Sequence, residues 1–147
     1  MPRFVISIRG EKLTLVSIAV CVRNGKDWIN GCMESLVNQT HKTTEIILVD
    51  DGSTDGGREI VKKWASHDNV ITILQEAKGL SSGRMAALEI AKGDWFAITD
   101  IDVRPEANWI ESLLDSSVSR EGENVVAVTG RTVFGRSDDV ISKIRSI

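Results

Sequence analysis

The sequence predicts an α/β protein built on a mostly parallel sheet with helices on its faces. Three observations carry this expectation. Strand-like apolar runs alternate with helix-like segments along nearly the whole chain, the pattern of repeated βα units. The run from Leu13 to Val22 is almost continuously apolar, as a strand covered on both faces must be. Two further runs, Ile46-Ile47-Leu48-Val49 and Trp95-Phe96-Ala97-Ile98-Thr99, lead into acids: Asp50-Asp51-Gly52 in one case and Asp100-Ile101-Asp102 in the other. In open sheets of this class, ligands bind at the carboxyl ends of the strands where the strand order reverses.

Taken in order, residues 1–12 hold the alternating Phe4, Ile6 and Ile8, which fit either a short extra strand or an extended tail. Leu13 to Val22 is the first full strand, broken by Asn24-Gly25. Trp28-Ile29, Cys32-Met33 and Leu36-Val37 recur every four residues and mark an amphipathic helix to about Gln39. Glu45 to Asp50 is the second strand. Asp55 is placed to cap a helix whose inward stripe is Ile60, Val61, Trp64 and Ala65. Val70 to Leu74 forms a short third strand. Ser81 or Ser82 opens a helix through Met85, Leu88 and Ala91, with Gly93 as its C-cap. The fourth strand ends at the second acidic group. Pro105 then sets a helix with Trp109, Ile110, Leu113, Leu114 and Val118 inward. A fifth strand is expected at Val125 to Thr129, with Val133-Phe134 in a further one and a last short helix around Val140, Ile141 and Ile144. No linker or repeat interrupts the pattern, so residues 1–147 are expected to form a single domain.

Composition narrows the function. The 147 residues are 41% hydrophobic and 27% charged, ordinary values for a soluble globular chain. With 18 basic against 21 acidic side chains the net charge is −3, which argues against nucleic acid as a partner. Cys21 and Cys32 show neither zinc spacing nor a disulfide framework, so a reduced, cytoplasmic setting is expected. No apolar run approaches the roughly 20 residues that span a bilayer; membrane attachment would have to come from a longer parent protein, at its cytoplasmic face.

The acids are the chemistry-bearing feature. Gly52 lets the backbone pass close to a ligand, and an ionised Asp accepts hydrogen bonds only, which suits an imide N–H such as that of uracil. The bland reading of the same tract is a turn with a helix cap. Mutual repulsion of the adjacent acids Asp50 and Asp51 counts against a purely structural role. Asp100 and Asp102, at i and i+2, project to one face if the chain is extended, and two oxygens on one face suit Mg²⁺ or Mn²⁺ with phosphates completing the shell. Arg84 follows the glycine- and serine-rich Gly79-Leu80-Ser81-Ser82-Gly83 at a helix start, where anions are favoured. Arg23 closes the first strand, and its planar group is able to stack on a base. His41 and His67 stand apart without partners at ligand spacing. The four tryptophans fall on apolar faces and read as core, with Trp95 the most ambiguous.

Val16-Ser17-Ile18-Ala19-Val20, Arg23-Asn24-Gly25 and Ser35-Leu36-Val37-Asn38-Gln39-Thr40 resemble the opening of family 2 glycosyltransferases. The likeness continues through Glu45 to Asp55, Gly79-Leu80-Ser81, Arg84, Ala91-Lys92-Gly93-Asp94 and Asp100-Ile101-Asp102, in register from about Val16 to Arg131. It implies a GT-A fold, a role in polysaccharide biosynthesis, and transfer from a nucleoside-diphosphate sugar, a UDP-sugar foremost, usually with inversion. The acceptor, whether saccharide, lipid or protein, is not specified. Carried over by position, Val22, Arg23, Asn24, Asp51, Arg84, Asp100 and Ile101 would bind the nucleotide sugar. Within that set Asp51 would meet the base with Arg23 beside it, Asp100 the ribose or sugar, and Arg84 the phosphates or sugar. Asp102 would ligate Mg²⁺ or Mn²⁺ at the diphosphate.

Cys21 stands where the family commonly has proline, and Met85 where asparagine often follows the arginine. An inverting displacement needs a carboxylate base, which in this family lies well beyond the Asp-x-Asp group. Asp138 and Asp139 come too early for that role, and no base is assigned, so the chain looks like the donor-binding portion of a longer enzyme or a truncated relative. Two alternatives share the motifs: a non-catalytic nucleotide-sugar binder, and a response-regulator receiver domain, which also pairs acids after a buried strand. The receiver needs a late Lys-Pro, whereas the prolines here are Pro2 and Pro105. A dinucleotide-binding domain is weaker, since neither Gly-x-Gly-x-x-Gly nor a Walker-type lysine is present.

Overall fold

The most apolar run in the sequence becomes the centre of the sheet. In the computed structural model, which describes residues 5–6, 12–118 and 125–131, two very short strands come first. These are β1 (Val5–Ile6) and β2 (Lys12–Leu13), paired antiparallel. The expected long first strand is therefore divided, and Leu13 belongs to the small antiparallel pair. β3 (Val16–Val22) is buried along its whole length. It is followed by α1 (Lys26–Val37), β4 (Thr44–Asp51), α2 (Gly57–Trp64), β5 (Val70–Gln75), α3 (Leu80–Ile90), β6 (Trp95–Asp100) and α4 (Trp109–Val118).

The main sheet has the order β5-β4-β3-β6, all parallel. β3 therefore lies between the two acid-bearing strands, with Cys21 opposite Val49 on one side and Asp100 on the other. This order reverses direction beside β3, where ligand crevices form. It also separates the chain from the receiver alternative, whose sheet runs 2-1-3-4-5; the four strands here, counted along the chain, run 3-2-1-4.

Alternation along each strand divides the core in two. Ala19, Cys21, Ile47 and Val49 pack with Ala87 of α3 on one face, with Ile71, Ile73, Ala91 and Phe96 at the margin. Ile18, Val20, Ile46 and Leu48 take the other face and are fully buried. α1 and α2 pack together, and the Trp64 indole donates to Asn30 Oδ1 at 3.0 Å. Each fully buried Val, Ile or Leu contributes about 1.5–3 kcal/mol, so the central strands dominate stability.

The α3 stripe differs from the expectation. Gly83 and Ala87 are its buried residues, whereas Met85 and Leu88 are about half exposed. Small residues let the helix lie close on the sheet, and a Cβ on Gly83 would come 3.0 Å from Cys21 Sγ. Gly93 is not the C-cap, a position held by Ala91. It is instead a point of close approach: a Cβ there would lie 2.5 Å from Ser17 N and 2.6 Å from Trp95 O. Gly93 N donates to Ser17 Oγ, and Ser17 Oγ and Lys92 N both donate to Glu45 Oε1. The Ala91 to Asp94 group thus ties the starts of β3, β4 and β6 together at the edge remote from the acids.

Trp28 corrects the core assignment of the tryptophans, being 51% exposed, while Trp64 is buried and Trp95 and Trp109 are intermediate. In α2, Val61 and Trp64 are buried, but Ala65 lies beyond the helix and is exposed. No strand is assigned at 125–131, where the fifth was expected. The segments around Val133-Phe134 and Val140 to Ile144, with Asp138 and Asp139, lie outside the described residues. The chain divides into two compact units, Met1–Glu111 and Ser112–Ile147, with the boundary inside α4. Among the described residues no helix is long and apolar enough to cross a membrane.

Candidate functional site at the carboxyl edge of the sheet

Alternation at the end of β4 sends Asp50 and Asp51 to opposite faces, so the expected repulsion does not arise. Asp50 is fully buried and meets Arg58 of α2, whose Nε donates to Oδ2 at 2.6 Å. Ser53 N donates to its Oδ1 at 3.2 Å, and Arg58 also donates to Gln75 O. Asp50 is the structural member of the pair. Arg58 was not singled out from sequence; its signal was a cation in the first turn of the helix that follows the acidic loop.

Asp51 turns toward α3. Its carboxylate accepts from Gln75 Nε2 at 2.7 Å, Lys78 N at 2.8 Å and Gly79 N at 2.8 Å. These hydrogen bonds, with Lys78 and Gln75 foremost and the nearby Arg23 guanidinium assisting, hold the Asp51 carboxyl below its ordinary value. The carboxylate thereby fixes the 76–79 loop against the end of β4. Gly52 makes the fit possible: its φ is +75°, and a Cβ would lie 2.6 Å from Ala77 N. Gln75 and the loop amides were not anticipated, because backbone donors carry no residue-type signal.

The residues after β3 are placed by clamps. Asn24 adopts φ +53°, receives Thr54 N on Oδ1 at 2.8 Å, and donates its own N–H to Ser53 Oγ at 3.0 Å. The β3–α1 and β4–α2 loops are thus stitched together. Asp55 is not the N-cap of α2, which is Gly56. It accepts from Gly57 N and from Lys26 N of α1, and these bonds lower its carboxyl. Val22 is buried, and its methyl and that of Ile101 both border Gly25. Arg23 is exposed and has no hydrogen bond or ion pair among the described residues.

At β6, Asp100 Oδ1 accepts from Arg84 Nη2 at 3.0 Å, so the predicted arginine meets the predicted acid directly. Asp100 and Asp102 do not share an extended segment, contrary to the expectation. Asp100 ends the strand, and Val103 N returns to Asp100 O at 3.1 Å, closing a turn with Ile101 and Asp102 at its tip. Asp102 is exposed, with no hydrogen-bond partner among the described residues.

Two buried thiols show how these groups cluster. Burial pushes Cys21 up to about 11; Arg84 opposes the shift, and Asp51 and Asp100 add to it. Cys32 is likewise pushed up to about 11, with Arg104 opposing and Asp102 and Asp100 adding. Cys21 thus feels Asp51, Arg84 and Asp100, and Cys32 feels Asp100, Asp102 and Arg104. Thiols held this high stay protonated and are poor nucleophiles. With strands about 4.8 Å apart, the tips of β4 and β6 stand roughly 10 Å from each other across β3, a span that suits a nucleotide diphosphate.

Among the described residues no group of three His, Cys, Asp or Glu side chains could hold a metal by itself. The residues that would offer donors are Asp102 and, through the oxygen not used by Arg84, Asp100. One or two carboxylates completed by substrate phosphates is how Mg²⁺ is usually bound, so these residues fit a divalent cation. His41 and His67 play no part here: His41 Nε2 bonds to Thr14 O, and the His67 ring stacks on Trp64.

Comparison with known proteins agrees with this geometry. The family model described as "Glycosyl transferase family 2" matches residues 17–145. The putative glycosyltransferase EpsH of Bacillus subtilis is 39% identical over 100 residues, covering 67% of this chain and 29% of that protein. An Escherichia coli protein named UDP-Glc:alpha-D-GlcNAc-diphosphoundecaprenol beta-1,3-glucosyltransferase WfaP is 39% identical over 90 residues, 61% of this chain and 36% of its own length. Among solved structures, mannosyltransferase PcManGT from Pyrobaculum calidifontis in complex with GDP-Man and Mn²⁺ aligns with a TM-score of 0.62 and 25% identity, over 74% of this chain and 32% of that one. The chain spans 18% of the Streptococcus pneumoniae glycosyltransferase GlyA and 38% of GlyG from the same organism, so it corresponds to a minor part of such relatives. With its parallel sheet, its acidic carboxyl edge and this match over most of its length, the chain belongs to glycosyl transferase family 2.

Proposed function

We propose that the carboxyl edge binds a nucleoside-diphosphate sugar, a UDP-sugar in preference, for transfer to an acceptor hydroxyl with inversion at the anomeric carbon. One observation carries the reading: Asp102 is held at the tip of a tight turn, exposed and without a hydrogen-bond partner among the described residues, next to an Asp100 already bonded to Arg84. An acid presented this way favours a cation and phosphates over a structural partner.

In this reading Asp51 keeps one of about four acceptor positions for the base imide, and Arg23 lies over the base. Val22, Asn24 and Ile101 line the slot, and Arg84 and Asp100 meet the sugar and phosphates. Mg²⁺ or Mn²⁺ held by Asp102 would supply Lewis-acid stabilisation of charge on the departing diphosphate. The acceptor oxygen bonds to the anomeric carbon as its bond to the diphosphate breaks, and the hydroxyl proton passes to a base that none of the assigned residues provides. The name of WfaP, which specifies UDP-Glc, supports a uridine donor, and the PcManGT complex with Mn²⁺ supports a divalent cation.

The test is a calorimetric screen of UDP, GDP and their sugars in the presence of Mn²⁺, repeated with Asp51→Asn. UDP should bind more tightly than GDP, and the variant should lose UDP affinity by about tenfold with inorganic diphosphate barely changed. A preference for GDP would reject the uridine assignment. Equal losses for UDP and diphosphate would remove Asp51 from the base slot.

A further inference from the structure

The turn that carries Asp102 is braced against α1 by a side chain that none of the motifs includes. Arg104 Nη1 donates to Ile101 O at 3.2 Å and to Val103 O at 2.9 Å, gripping the turn on both sides of Asp102. The rest of the guanidinium lies along α1. Its Cζ stands 5.9 Å from the centroid of the Trp28 ring, within cation–π range. At Gly31, one helical turn further, a Cβ would come 2.5 Å from Nε, 2.7 Å from Nη2 and 2.8 Å from Cζ. Gly31 is thus a mid-helix glycine, normally unfavourable, whose missing side chain makes room for the arginine. Trp28 is half exposed, so the guanidinium lies against a ring that solvent also reaches.

The geometry points to Arg104, seated in the Trp28–Gly31 notch, as the positioning residue that holds the Asp100–Val103 turn in the shape that presents Asp102 to a cation and diphosphate. This inference rests on the donor-binding reading and adds a specific device to it. The guanidinium is charge-matched to carbonyls rather than to Asp102, so its effect is on backbone placement. Partners that orient a ligand in this way commonly alter metal affinity by 10–100-fold.

The decisive variant is Gly31→Ala, because it keeps every charge and replaces a poor helix former with the best one. The three atoms nearest the new methyl all belong to the flexible end of Arg104, so it should expel the guanidinium while leaving the melting temperature unchanged or raised. Arg104→Met, which keeps an unbranched side chain but has no donor for either carbonyl, is the companion. Three quantities are read: amide hydrogen exchange at Val103 in the metal-free protein, UDP affinity without metal, and the gain in UDP affinity on adding Mn²⁺. Both variants should speed Val103 exchange about fivefold and cut the Mn²⁺ gain about tenfold, with metal-free UDP affinity held within about twofold. Wild-type Val103 protection and Mn²⁺ gain in both variants would overturn the inference. So would a fall in metal-free UDP affinity as large as the fall in the Mn²⁺ gain, which would make Arg104 a nucleotide contact. A wild-type protein that binds UDP but gains nothing from Mn²⁺ would overturn the cation-facing role of Arg104, whereas one that binds no UDP would refute the donor-binding reading itself.

Discussion

The two adjacent aspartates after β4 divide their work by the direction each faces. Asp50 is buried against Arg58, and its partner keeps 35% of its side chain exposed. Removing one member of a fully buried pair costs about 3–5 kcal/mol; with a partly solvated arginine, Arg58→Met should cost about 2–4 kcal/mol in urea unfolding. A loss below about 1 kcal/mol would mean that Asp50 finds water or another donor. Asp51, Arg84, Asp100 and Asp102 all stand out in the sequence, because acids and arginines at strand ends and helix starts are conspicuous, and the structure brings Arg84 and Asp100 into contact. What Asp51 touches was not legible, since its partners are mostly main-chain amides of a loop whose fold depends on Gly52 and Gly79. Nor did the spacing of Asp100 and Asp102 disclose the turn between them, because periodicity arguments assume that the strand continues.

The elements meet expectation best where burial is two-sided. β3, β4, β5 and β6 are recovered within a few residues, because continuous apolar runs have few alternatives. α3 was misread because its buried face is made of Gly83 and Ala87, so that a hydrophobicity pattern selected Met85 and Leu88 instead. Close helix–sheet packing inverted the usual rule that large apolar residues point inward. Gly93 makes the same point: its role is the approach of β6 to β3, which no C-cap pattern reveals. Gly93→Ala should cost about 1–3 kcal/mol by overpacking while leaving nucleotide affinity unchanged, since it sits at the edge opposite the acids. A selective loss of nucleotide binding with full stability would place Gly93 in the site and contradict the topology. Gln39 is a second such anchor. Its amide donates to Ser35 O and Glu106 O and accepts Ile110 N, joining the end of α1 to the segment after Asp102. Gln39→Leu should cost about 1–3 kcal/mol, the usual price of stranded buried polar groups, in the same unfolding experiment.

At the scale of the whole molecule, the strand order gathers groups from four separate stretches of sequence onto one edge: the end of β3, the end of β4, the start of α3 and the end of β6. Carboxylates at that edge also couple fold stability to pH. Asp51 and Asp55 are both lowered from 3.8 by backbone hydrogen bonds, Lys78 N first for one and Lys26 N first for the other. A carboxyl with a depressed folded value stabilises the protein above its unfolded value and loses that contribution as pH falls through the folded one. Stability should therefore be level from neutrality down to about pH 4 and fall below it, and Asp55→Asn should flatten that fall in unfolding curves taken between pH 5 and pH 2.5. An unchanged slope would mean that Asp55 is equally acidic in the unfolded chain.

The central claim is that Asp102 presents a cation to a nucleotide diphosphate at this edge, and titration of UDP into wild type and Asp102→Ala, each with and without Mn²⁺, tests it most directly. The account predicts that Mn²⁺ tightens UDP binding to the wild type, that Asp102→Ala abolishes this gain, and that metal-free binding is nearly the same in the two proteins. A variant that keeps the full Mn²⁺ gain would contradict it.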